Sequence, residues 1–394
     1  MNLLLSHCRD CITRLRCPHP GGVYLHHRPG VRALAIVSLL LVIFVCNGAR
    51  GDEVASALYV RTDSDRTTVV SPRVRGNANL NESTRLDVTY AADVWTSASI
   101  DIRASASVRP VTEQRDEIDV NVSHELDDLR FHAGYRFSHE NDYSSHGVSL
   151  GGTLELAQKA STFDLSLHAI SDTVGQSGNP TFARSLVTLD AALSFTQIID
   201  PQMLIQLTYE VAHNGGYQAS PYRFVGVGGT GFGCVGASLC LPELVPKQRT
   251  RHALAFMGRR ALSDAVSLGI SYRYYFDDWS LGSHTVLAEL GWLVAEQTLL
   301  SLRYRFYTQG AVEFYRPIYT QLATDELRTR DRELSALSFH RLGAEFEREF
   351  AFDDGAMKLS SSLAVAGNFY RYADFVGLNQ IAALEVSAGL TLRM

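Results

Sequence analysis

From about Val54 to Met394, apolar side chains recur at every second position, and no segment in that stretch is apolar enough to cross a bilayer as a helix. Period two belongs to extended strands, whose successive side chains point to opposite faces. In 85–95, Leu86, Val88, Tyr90, Ala92 and Val94 oppose Arg85, Asp87, Thr89 and Asp93. In 129–137, Leu129, Phe131, Ala133, Tyr135 and Phe137 oppose Arg130, His132 and Arg136. Val266 to Phe276 and Leu300 to Phe306 repeat the pattern against Ser267, Ser271, Arg273, Ser301, Arg303 and Arg305. If such a chain lives in a membrane, it must close into a barrel. Hydrocarbon offers backbone amides no other partner, and an orphaned one costs several kcal/mol.

A soluble sandwich shows the same alternation. Two features separate the cases. Charge appears in the middle of the polar faces, and connection lengths alternate. Short links at Asn81–Ser83, Asp127–Asp128, Gln158–Ala160, Asp200–Pro201, Leu262–Asp264, Ala295–Gln297 and Phe352–Gly355 interleave with longer ones near Thr96–Gln114, His139–Ser145, Thr173–Ala183, Asn214–Gln248, Asp278–Gly282, Gly310–Ala336 and Tyr370–Gly377. Short turns at one end and long loops at the other are the topology of transmembrane barrels. The expected fold is all-β: a transmembrane antiparallel up-and-down barrel of about 16 strands, within about 14–18, with both termini periplasmic. Its lipid-facing row should carry aromatics such as Trp95, Tyr274, Phe276 and Trp292 near strand ends.

The N-terminal part reads differently. Ala33–Cys46 is an apolar run of about fourteen residues, too short to span, with Arg28 and Arg32 before it and small residues after it. Residues 1–51 are therefore expected to be a leader and signal peptide and 52–394 the barrel, with the true start codon downstream of Met1. The alternative is an uncleaved anchor. Cys8, Cys11, Cys17 and Cys46 would be lost with the leader. Cys234 and Cys240 remain as a candidate disulfide in an exported chain, since two thiols without neighbouring histidines make a poor zinc site.

Assigning the polar parity to the lumen sorts its charge along the chain. Asp87, Asp93, Glu117, Asp119, Glu125, Glu155, Asp164, Asp190 and Glu210 form a candidate acidic wall. Arg249, Arg251, Arg259, Arg273, Arg303 and Arg305 form a candidate basic one. Two such walls would set a transverse field favouring polar solutes. The competing reading is Arg–carboxylate ladders that fill the interior. The glycine-rich Asn214–Gln248 insertion either folds inward as a constriction or stays at the surface. The charged Gly310–Ala336 segment, with Arg328, Arg330, Asp331, Arg332 and Glu333, reads as a solvated loop, with contact to lipopolysaccharide or the lumen as the alternative.

A net charge of -6 and a pI near 6.1 argue against nucleic acid as a partner. The glycines from Gly226 to Gly233 lack the Lys–Ser/Thr pair of a phosphate loop, and no cofactor motif is present. Ser138, His139 and Asp142 invite a lipid hydrolase, but adjacent strand residues face opposite ways. An enzyme is not expected. His146, His252, His284 and His340 fall at loop-side strand ends and read as structural rather than metal-binding.

The tail alternates through Leu384, Val386, Ala388, Leu390 and Leu392. It resembles the C-terminal signal read by barrel-assembly machinery, with Gly389, Leu392 and Met394 at its glycine and hydrophobic positions and no terminal aromatic. Several stretches resemble an exported bacterial family known mainly as a domain of unknown function and taken to be outer-membrane barrels. They are Thr67–Pro72, Tyr90–Asp101, Pro110–Glu117, Tyr217–Val225, Arg249–Leu254, Ser283–Thr285, Arg303–Gln309 and Arg328–Ser335. The resemblance implies fold and compartment and no activity. The leading functional expectation is porin-like passage of small polar solutes through an outer membrane. The alternatives are an assembly or scaffold barrel serving a partner complex and, last, the rim hydrolase. Outer-membrane lipid, lipopolysaccharide and the assembly machinery are the expected partners.

Overall fold

The computed structural model describes residues 53–97, 99, 111–231, 233–352 and 357–394. The expected leader, most of the Thr96–Gln114 connection and the turn after Phe352 lie outside them. Sixteen antiparallel strands close on themselves: β1 to β9, then β12 to β18. β1 (Glu53–Asp63) pairs with β18 (Gln380–Arg393) over its whole length, from Glu53↔Arg393 to Asp63↔Ala383. That seam removes the last open edge. Gly389 and Leu392 lie within β18 opposite Ala57 and Val54. β10 (Phe224–Val227) and β11 (Leu239–Pro242) form a separate hairpin inside the long connection between β9 (Met203–Gly216) and β12 (Gln248–Ala261).

Both ends of the described chain lie at the short-turn end of the barrel. The alternation of connection length is less strict than the sequence suggests. β1 turns into β2 (Thr67–Asn79) in 64–66 and β5 (Leu129–His139) into β6 (Tyr143–Leu156) in 140–142, both at the long-loop end, because the strands there run further than their apolar positions do.

The apolar parity faces out. Leu150, Leu189 and Leu342 are 61%, 55% and 62% exposed, which a soluble protein would not tolerate in rows. Near the long-loop end this surface carries a repeated pair. The hydroxyls of Tyr135, Tyr209, Tyr272 and Tyr304 lie 2.7–2.9 Å from Nδ1 of His146, His252, His284 and His340 respectively, each on the neighbouring strand. Each histidine also faces an aromatic ring, Phe137, Phe276, Tyr274 or Phe306, at 4.9–5.1 Å. The four expected rim histidines therefore belong to an outer belt of rings with polar edges, the side chains suited to a headgroup region. On β14 (Gly282–Ala295), His284 and Trp292 mark the two margins of the greasy band. Eight residues at about 3.4 Å separate them, or roughly 20 Å along the barrel axis at a usual strand tilt.

Trp95 departs from expectation. It pairs with Val69 and Glu113 and alternates with Asp93 onto the inner face, so it belongs to the lumen and not to the belt.

Leu150 lies mid-strand on β6 (Tyr143–Leu156). Leu150→Arg should destabilise the folded barrel in bilayers by about 2–4 kcal/mol. The urea midpoint of protein refolded into vesicles measures this, and an unchanged midpoint would contradict lipid contact at this face.

Candidate functional site: the lumen and its mouth

All fifteen charged residues expected to line the lumen lie on the inner parity, opposite exposed apolar neighbours such as Ile118, Leu165, Leu189, Leu207, Leu254, Ile270 and Leu302. They do not form two bare walls, because acids and arginines from neighbouring strands interlock. Arg259 reaches Glu289 (2.5 Å), Glu289 takes Arg303 (2.7 Å), and Arg303 also takes Glu345 (2.5 Å). Arg273 meets Glu210 at 2.8 Å and Arg341 meets Glu385 at 3.1 Å. The acidic side holds arginines of its own. Arg75 bonds Asp87 (2.6 Å), Arg130 bonds Glu125 (2.6 Å), and Arg115 bonds Asp93. Thr153 donates to Asp164, Asn121 to Asp119, and Lys159 pairs with Glu155. Arg305 lies 5.9 Å from the Phe339 ring. Among the described residues, Glu117 and Asp190 make no side-chain bond.

Parity along one strand marks which residues share the lumen, but it cannot show which of them meet. Glu289, Glu345 and Glu385 escaped the sequence-based list although their parity was available, because the expected sorting of charge drew attention to the arginines around them.

At the long-loop end Asp277 is the hub. Its side chain is fully buried and binds Arg249 Nε (2.9 Å) and Nη2 (2.5 Å). It also accepts the Tyr275 hydroxyl (2.7 Å) and the backbone amides of Trp279 and Leu281 (3.0 Å each). Arg249 in turn stacks 4.3 Å over the Trp279 ring. Trp279 opens an apolar core built from inner-rim residues and loops, including Val312, Phe314, Phe339, Tyr372 and Phe375.

Two long connections lie over that core and form a lid. Residues 217–247, which contain β10 and β11, join 310–336 through bridges at Val227↔Tyr319 and Leu244↔Arg328. Cys234 and Cys240 are bonded to one another, pinning the hairpin end. The expected solvated loop is instead packed. Arg328 is buried and donates to the carbonyl oxygens of Pro242 (2.8 Å), Thr324 (3.1 Å) and Glu326 (2.8 Å). Tyr319 and Val225 are also buried. Arg332 reaches across to Asp65 in the β1–β2 turn at 2.9 Å. Tyr222 bonds Asp142 in the β5–β6 turn, and its hydroxyl accepts the Ser177 amide of the 175–183 loop at 2.5 Å. Arg330 lies 5.3 Å from the Phe375 ring of the 373–379 loop. Hence the Asn214–Gln248 insertion, left open between constriction and surface, lies across the mouth.

Ser138 is buried on the inner face opposite Glu117 and Ser145, while His139 alternates to the outer face beside Phe137. The two side chains cannot act as a nucleophile–base pair. At the same rim Glu113, Glu140 and Asp142 bring carboxylate oxygens within 4.8 Å of one another. Carboxylates alone do not define a metal site.

A closed sixteen-stranded barrel with a greasy exterior and an ionic interior is a membrane-spanning barrel of the outer-membrane type. Residues 102–190 and 183–364 match the model of the family described as "Protein of unknown function (DUF3570)", and the chain belongs to that family. No curated protein matches it. Among solved structures it is similar to a bacterial polysaccharide outer membrane secretin, at 9% identity and TM-score 0.49, with 87% of this chain and 98% of that one covered. It is also similar to OccD3 (OpdP) of Pseudomonas aeruginosa, at 10% identity and TM-score 0.46, covering 88% and 92%. The CymD monoaromatic hydrocarbon channel gives 10% and 0.43, covering 89% and 92%.

Removing the Asp277 carboxylate strands Arg249 and two amides in a dry site. Asp277→Ala should cost about 3–5 kcal/mol and expose Trp279. In a Trp95→Phe, Trp292→Phe background, the remaining emission should shift to the red at denaturant concentrations where the parent is still folded.

Glu243 ties the two loops together. It accepts Thr329 Oγ1 and the Ser220 amide (2.7 Å) and lies 3.5 Å from Arg223, and its burial pushes its carboxyl above the ordinary range. The folded lid therefore holds this proton more tightly than the unfolded chain does. The stability so contributed is full below the ordinary carboxylate pKa and is lost as pH rises through the raised one. Tryptic cleavage at exposed Lys247 should speed up as pH rises above the ordinary carboxylate range, relative to Glu243→Gln digested in parallel; equal profiles would rule this out.

Proposed function

We propose that the barrel passes small polar solutes across an outer membrane, with both termini in the periplasm and the lid facing outward. The reading rests on one observation. The inner face carries ionised pairs at every height, from Arg130–Glu125 near the short turns to Arg249–Asp277 at the mouth. Interlocked ions present hydrogen-bonding edges to water and to polar solutes, while an apolar solute gains nothing from them.

The lid makes the passage gated. The apolar core beneath it and its ties to Asp65 and Asp142 favour a closed resting mouth, opened when the two connections shift. Lipopolysaccharide would meet the outer belt, and β18 with Gly389, Leu392 and Met394 would present the assembly signal. Ser138 has no chemical role in this reading.

Purified protein in planar bilayers should open in steps, and deleting 224–242 should raise the open fraction at least tenfold. A folded preparation silent at every voltage, with the hairpin present or deleted, would end the transport reading.

A further inference from the structure

Five acids on the inner face share one setting. Each lies directly across from a glycine or alanine on the neighbouring strand, and an arginine approaches from the strand beyond. Glu289 faces Gly269, Glu210 faces Ala253, and Glu385 faces Ala366. In these three the arginine closes the pair: Arg259, directly opposite Gly269, at 2.5 Å, and Arg273 and Arg341, two residues along from the small residue's partner, at 2.8 Å and 3.1 Å. At Gly269 the missing side chain leaves room for the arginine to pass. A Cβ at Gly269 would already touch Arg259 Nε at 3.7 Å, so a longer side chain would block the path.

Two further sets have the same parts and stay open: Glu117, Ala91 and Arg73 make one, and the other has a cavity lined by both signs of charge. Asp190 on β8 (Arg184–Asp200) and Arg251 on β12 both lie directly opposite Ala212 on the strand between them. No bond joins them, and Arg251 Nε is buried without a partner. Asp190 is shorter than a glutamate by one methylene, about 1.5 Å, and two strand spacings of about 4.8 Å separate it from the strand of Arg251. Beside the pair is a cavity of about 130 Å³ lined by Asp190, Glu210, Ala212, Arg251, Arg273 and Tyr275.

We propose that this cavity is a binding site for a small zwitterion of the amino-acid class, which names the solute in the transport reading above and rests on that reading for its role in passage. The solute's carboxylate takes the guanidinium of Arg251 and its ammonium takes the carboxylate of Asp190, so one molecule completes the crossing that the side chains leave open. A simple anion meets Asp190 and Glu210 at the same spot, and a simple cation meets Arg251 and Arg273. Each therefore satisfies one side and is repelled by the other.

Glycine is the probe, with acetate and methylammonium as its two halves. Calorimetric titration of the full barrel in detergent at about 0.1 M salt should show glycine binding with Kd on the order of 1 mM. Each half should bind at least tenfold more weakly. Asp190→Glu keeps every charge but extends the carboxylate by one carbon into the space glycine would take, so glycine affinity falls tenfold or more. Arg251→Gln should lose it as well and serves if the first variant does not fold, as judged by heat-modifiable migration. Absence of glycine heat, acetate binding as tightly as glycine, or undiminished binding in a folded variant would each overturn the site. Bilayer recordings separate the two levels. Conductance that glycine leaves unchanged, with no heat of binding, removes the site and keeps the channel; a silent bilayer with glycine binding intact removes the channel and keeps the site.

Discussion

Backbone hydrogen bonding in hydrocarbon is the constraint on which everything else depends. An unpaired amide in the bilayer costs more than any single side-chain contact here returns, so the sheet has to close. β1 meets β18 along eleven aligned residue pairs, and neither strand has another partner left on its free edge. Once closed, the sheet has only an outside and an inside, and period two allots every residue to one or the other. The greasy band, the tyrosine–histidine belt and the ionic lumen are consequences of that allotment.

The interior meets the cost of its own charge locally. Arginine is long and planar and can reach past a neighbouring strand, provided that strand offers glycine or alanine where it passes. Gly269, Ala253 and Ala366 occupy those positions. These small residues are as much part of the electrostatics as the ions are. The result is a lining polar throughout and largely paired, with Asp190 and Arg251 among the complementary groups that face one another without meeting.

The lid follows a different logic. Its apolar core lies not in the lumen but at the mouth, where loops from four connections pack on inner-rim rings. Charged residues that look solvated in the sequence serve as pins: Arg328 collects backbone carbonyls, Arg332 spans to Asp65, and Asp331 caps the short 3-10 turn through the Glu333 amide. A run such as Arg328–Glu333 has no periodicity, and a buried arginine and a solvated one look alike in one dimension. Trp95 illustrates the same limit in small. It is an aromatic near a strand end, yet one step of parity sends it inward.

Alternation and connection length made the barrel, its strand number and the inward placement of all fifteen candidate lumen charges legible in the sequence, because those properties depend only on neighbours along one chain segment. Only the tertiary structure decided which charges meet, that the two long connections close over the mouth, and that the crossing between Asp190 and Arg251 remains open. Those outcomes depend on register between strands far apart in sequence and on how far each side chain reaches across its neighbour. No local pattern records either.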